Sequence, residues 1–165
     1  DVYVKTSWTF PILKTLRGQP WVKDHQEFKA YYKRLLEFLA GQSARVLTLS
    51  PLFIGEDLNN IWNRELYALG KIIEEVAREF NQSTFIDLQA VFLPLLESKK
   101  VSPYVPKSVT KLLLSLFFRK SVRKIEEQAA KRTLHYTIDG VHLNAAGAEI
   151  VSEKIAKKIE GDSPD

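Results

Sequence analysis

Cysteine is absent from the 165 residues, and so is methionine. The first absence excludes disulfides, thiolate metal sites and a cysteine nucleophile within this segment, while leaving the compartment open. The second bears on the start of the chain. Position 1 is Asp, so the expected N-terminus is a processing product or a cut, with any targeting signal upstream of it. Long apolar runs are lacking too: the longest candidate, 112–118, is broken by Ser115 and followed by Arg119 and Lys120. That falls far short of the ~18–20 apolar residues needed to span a bilayer. Clustered charge of one sign is also missing. The net charge is +4, yet Lys and Arg are scattered and mixed with Glu, and the densest group, 119–124, runs directly into Glu126 and Glu127. Such a pattern reads as a solvated helix face and argues against a nucleic-acid partner.

The residues that are present fall into alternating elements. An opening stretch, 1–23, has no sustained period and contains Pro11, Gly18 and Pro20. It reads as a long loop, with Trp8, Phe10 and Trp21 pointing to packing rather than disorder. Asp24 to Glu27 has the form of a capping box. Phe28, Tyr31, Tyr32, Leu35, Leu36 and Leu39 then recur at helical spacing until Gly41 ends the element. Arg45 to Ser50 is a short apolar strand stopped by Pro51. Asn60 caps a second helix with Leu66, Leu69, Ile73, Val76, Ala77 and Phe80 on one face, and Thr84 to Leu88 forms a second strand. A short helix through Val91, Phe92, Leu95 and Leu96 comes next. Beyond a Pro-containing connection over 98–106, residues 108–132 read as a long amphipathic helix. Nearly all-apolar strands alternating with helices predict an α/β fold whose parallel sheet is covered on both faces. Two strands do not complete such a sheet, so partners are expected from outside the segment.

One segment carries chemistry. Asp139-Gly140-Val141-His142-Leu143-Asn144 stands before a final helix with Ile150, Val151, Ile155 and Ile159 on its apolar side. Gly140 permits a turn that lets Asp139 and His142 face the same place. An imidazole needs a carboxylate on one nitrogen to hold its tautomer, leaving the other to take a proton from a nucleophile. The bare spacing is common, but the extended string through Gly147 is far more specific. Other candidates rank lower. Asn144 reads as the N-cap of the last helix, and His25 and His135 as structural or exposed. Asp87, at a strand end, is a weaker rival to Asp139. Ser50 ends the other strand but is followed by Pro51 rather than a helix, which disqualifies it as a nucleophile. Gly161-Asp162-Ser163 follows a helix rather than a strand, so it is a chain tail. No spacing of His, Asp and Glu suggests a metal site, and no cofactor is expected.

The string from Asp139 to Gly147 resembles the last block of SGNH/GDSL-type serine hydrolases, in which an Asp and a His precede the C-terminal helix. The order of the preceding helices and strands is similar to that family's second half. The resemblance implies a three-layer α/β/α, flavodoxin-like fold. It further implies that residues 1–165 are the C-terminal portion of a single hydrolase domain, with a helical insertion at about 98–133. By this match Asp139 is the orienting acid and His142 the general base for a small-molecule ester substrate. The family's Gly-Asp-Ser nucleophile block and oxyanion-hole residues lie outside the chain, which alone is then expected to be inactive and not independently stable. The competing reading is a non-catalytic α/β binding domain, or an inactive hydrolase relative, in which Asp139 and His142 are turn residues.

Overall fold

The computed structural model describes residues 22–42, 45–100, 102–105 and 122–161. Among them are helices α1 (His25–Gly41), α2 (Ile61–Ala77), α3 (Leu88–Glu97), α4 (Val122–Lys131) and α5 (Ala145–Gly161), and strands β1 (Val46–Leu49) and β2 (Ser83–Ile86). The expected opening loop and the first part of the 108–132 helix fall outside the described residues, whereas 122–131 is helical. None of the described helices is long and apolar enough to cross a membrane. The described residues divide into two compact units that interleave along the chain: 22–42, 45–52 and 64–89 in one, and 53–63, 90–100, 102–105 and 122–161 in the other.

In the first unit β1 and β2 pair in parallel, with Val46 opposite Ser83 and Leu49 opposite Ile86. Parallel neighbours need a crossover, and α2 supplies it. The fold is therefore α/β, with a two-stranded parallel sheet among the described residues. Leu36 of α1 packs with Val76 and Ala77 of α2, and Val46, Ile72, Phe80 and Phe85 close around them. Lys29 pairs with Glu75 at 2.7 Å, and Lys33, one turn further along α1, pairs with Glu79 just past the end of α2. That common advance is the register of helices running in the same direction. In the second pair Lys33 is pushed up by Glu79, and Glu79 is pulled down by Lys33. Both are at the surface, where such pairs add little to stability.

The sequence signals for helix starts hold in detail. Asp24 caps α1, its side chain accepting the Glu27 amide at 2.8 Å, while the Glu27 carboxylate takes the Lys23 amide. Asn60 caps α2 by accepting the Asn63 amide at 2.9 Å. An Asn60→Ala variant is expected to lose about 1 kcal/mol, read as a lower urea midpoint with an unchanged slope. Two expectations need correction. β2 ends at Ile86 rather than Leu88, because Ser50 accepts the Leu88 amide at 2.8 Å and so starts α3 there. The apolar faces of α1 and α5 are also less covered than their spacing predicts: Tyr31, Leu35 and Ile159 are all about half exposed.

In the second unit Phe92 of α3 is fully buried. Its ring meets Phe53 edge-on at 5.2 Å and Tyr136 at 5.4 Å. Arg132 lies over the Tyr104 ring at 4.5 Å, a cation–π contact near the end of α4. This aromatic core underlies the loop between α4 and α5.

Candidate active site

The loop from Leu134 to Asn144 is a narrow hairpin. Thr137 and Leu143 form an antiparallel bridge, the Ile138 amide donates to the His142 carbonyl at 2.8 Å, and the Asn144 amide donates to the Tyr136 carbonyl at 2.9 Å. Gly140 sits at the tip with φ of 83°, a left-handed conformation that a Cβ would strain. Asp139 precedes it and is buried. Both oxygens of Asp139 approach His142 Nδ1, Oδ1 at 3.2 Å, and Oδ1 also ties the turn. Oδ1 accepts the amides of Val141 at 3.1 Å and His142 at 2.9 Å, tying the turn. Oδ2 lies 3.0 Å from Nδ1 of His142.

A carboxylate oxygen only accepts, so Nδ1 carries a proton, and in the neutral ring Nε2 keeps its lone pair. The tautomer is thus assigned from the partner. The His142 ring is half exposed while the Asp139 side chain is almost wholly covered, and among the described residues Nε2 has no hydrogen-bond partner. The arrangement is a buried acceptor aiming an imidazole outward, with its basic nitrogen toward incoming groups.

Asn144 caps α5 by accepting the Gly147 amide at 2.9 Å, while its Nδ2 donates to the His135 carbonyl at 2.8 Å. It is an N-cap that also ties the helix to the hairpin. Gly147 allows the close approach this requires: a Cβ there would lie 2.4 Å from the Tyr136 carbonyl oxygen and 2.8 Å from Leu143 Cδ2. Alanine favours a helix interior by about 1 kcal/mol over glycine, yet overpacking costs about 1–3 kcal/mol, and the obstructing atom is backbone. Gly147→Ala is therefore expected to lower the urea midpoint of the full-length protein. A raised midpoint would contradict the contact.

The remaining candidates are placed elsewhere. His25 bonds Glu65 at 2.7 Å, and His135 Nε2 lies 3.1 Å from the Lys100 carbonyl; both roles are structural. The Ser50 hydroxyl lies 3.3 Å from Asp87 Oδ1 and accepts the Leu88 amide, which commits it to the start of α3. Gly161 ends α5, and the two residues after it in the Gly-Asp-Ser triplet lie outside the described residues. The sequence reading passes over one residue of consequence, Glu56. In Gly55-Glu56-Asp57 it looks like an ordinary loop acid, yet it is fully buried and bonded to the hairpin.

The described residues thus combine an α/β fold with an Asp–His pair whose imidazole is half exposed. Comparison with protein-family models and with curated proteins gives no match. Solved structures do match. One is a mutant of Axe2, an acetyl-xylooligosaccharide esterase from Geobacillus, with a TM-score of 0.59 and 19% identity over 94% of this chain and 54% of that one. Another is a catalytic mutant of Axe2 from Geobacillus stearothermophilus in which a serine is replaced by alanine, with a TM-score of 0.58, 18% identity and the same coverage. The acetyl xylan esterase AlAXEase gives 0.56 and 22% over 88% of this chain and 60% of that one. The chain thus has the fold of these acetylxylan esterases and spans little more than half their length.

Proposed function

We propose that the full-length protein is an SGNH-type serine esterase, and that this chain is the C-terminal portion of its single three-layer α/β/α domain, with a helical insertion at about 98–133. The observation that carries the proposal is the 3.0 Å approach of Asp139 Oδ2 to His142 Nδ1, with Nε2 facing outward from a buried carboxylate. The fold shared with acetylxylan esterases supports the same reading.

In this mechanism a serine from outside the chain attacks the ester carbonyl. His142 Nε2 takes the serine proton as the new C–O bond forms, and Asp139 stabilises the resulting imidazolium. The proton passes to the departing alcohol as the tetrahedral intermediate collapses to an acyl-enzyme. Water then attacks with His142 again accepting a proton, and the acid is released with the serine restored. Donors from the missing part of the domain hold the oxyanion. Acetyl esters of carbohydrate hydroxyls are the substrate class that the structural neighbours favour.

The test is acetate release from acetylated xylo-oligosaccharide by the full-length protein, together with labelling by a fluorophosphonate probe. Release of acetate with probe attached to one serine upstream of this segment is the expected result. A folded protein that neither releases acetate nor takes the probe overturns the proposal.

A further inference from the structure

We infer that Glu56 is the positioning residue of the Asp139–His142 hairpin, an inference that rests on the esterase reading above. Glu56 is fully buried, follows β1 by seven residues and is separated from the hairpin by about 80 positions of sequence. Its Oε2 accepts the His135 amide at 2.7 Å. Its Oε1 accepts the Tyr136 amide at 2.7 Å, the Thr137 amide at 2.8 Å and the Thr137 hydroxyl at 2.9 Å. A carboxylate offers about four acceptor sites and no donor, and here four donors meet it. Hydrogen bonds to a charged acceptor are the strong ones, and these are shielded from water.

The cage reaches the reacting pair through two further links. Thr137 Oγ1, while donating to Glu56, accepts the Gly140 amide at 3.2 Å, so the carboxylate is connected to the tip of the hairpin beside Asp139. The neighbouring Gly55 amide donates to the Gly140 carbonyl at 2.6 Å. Residues 55 and 56 therefore grip the hairpin at its root through three successive amides and at its tip through Gly140. The other limb, carrying His142, hangs on the first through the Ile138 and Asn144 amides. No atom of Glu56 is bonded to Asp139 or His142. Its effect is to set where Nε2 stands, and a displacement of about 1 Å there costs on the order of 10²-fold in rate.

Glutamine at 56 keeps the shape but places an NH2 group against at least one amide that needs an acceptor. In the full-length protein, Glu56→Gln is expected to lower kcat for p-nitrophenyl acetate by about 10- to 100-fold while KM changes by less than about threefold, since rate suffers when only the transition-state geometry is lost. Thr137→Val, which deletes the hydroxyl link but keeps volume and amide, is expected to lower kcat in the same sense, and Thr137→Ser to restore it. Val76→Ala serves as the stability control: a core truncation in the other unit that lowers the melting temperature and leaves kcat unchanged. His142→Ala separates the two levels of the argument. If it retains activity, the assignment of His142 as the base fails, and the positioning role falls with it. If it is inactive while Glu56→Gln keeps kcat within twofold, only the positioning role fails. Should Glu56→Gln not fold, the Thr137 pair decides: equal kcat in the valine and serine variants overturns the proposal.

Discussion

Under the proposed esterase mechanism, replacing His142 with alanine in the full-length protein is expected to lower kcat for a short p-nitrophenyl ester by roughly 10⁴- to 10⁶-fold, with the fold intact. The ring is half exposed and bonds only to Asp139 among the described residues, so little packing is lost with it. Asp139→Asn is the more discriminating partner experiment. An amide can keep its oxygen at the Oδ1 position and still accept the Val141 and His142 amides, so the turn survives. Its NH2 then occupies the Oδ2 position and donates to Nδ1, forcing the proton onto Nε2. A base already protonated at its working nitrogen accepts nothing from serine, and about 10⁴-fold is the expected loss. Unaltered turnover in either variant would remove the acid–base assignment. Circular dichroism and a cooperative melt distinguish that result from unfolding.

The second large effect is on stability. Phe92→Ala is expected to cost about 3–5 kcal/mol, a substantial share of the 5–15 kcal/mol that typically holds a domain. Phe92 is fully buried and makes edge contacts with Phe53 and Tyr136, whose backbones carry the segment before Glu56 and the first limb of the hairpin. A cavity there releases both. Urea unfolding of the full-length protein reads the loss directly, and Phe92→Leu is expected to recover much of it because it retains most of the volume. A midpoint for Phe92→Ala close to that of the unaltered protein would mean the ring is not the centre of this core.

Much of this was legible before any coordinates. Asp24, Asn60 and Asn144 announced three helix starts because capping is local chemistry, written in one side chain and the amide three residues on. The Asp139–His142 contact was likewise a short-range matter, three residues spanning one glycine turn. Where local signals stopped, so did the reading. Tyr31 and Leu35 have core spacing but are half exposed, since periodicity reports which face is apolar and not what covers it. The end of β2 was misplaced by two residues because the atom that starts α3, the Ser50 hydroxyl, sits just past the end of β1. Glu56 was invisible for a stronger form of the same reason: its four donors come from about 80 residues away, and nothing in Gly55-Glu56-Asp57 distinguishes a caged acid from a solvated one.

That separation has a consequence during biosynthesis. The Glu56 carboxylate and the Thr137 donors that enclose it are 81 positions apart. At ribosomal speeds of about 5–20 residues per second, the acid leaves the peptidyl-transferase centre roughly 4–16 s before its donors do. Through that interval it must stay hydrated, because burying an uncompensated carboxylate is prohibitive. Phe53 and Ile54 beside it are held out of the core for as long. The nascent chain therefore completes this unit only when the hairpin emerges, and a ribosome stalled before the codon for His135 leaves an exposed apolar stretch for chaperones to bind.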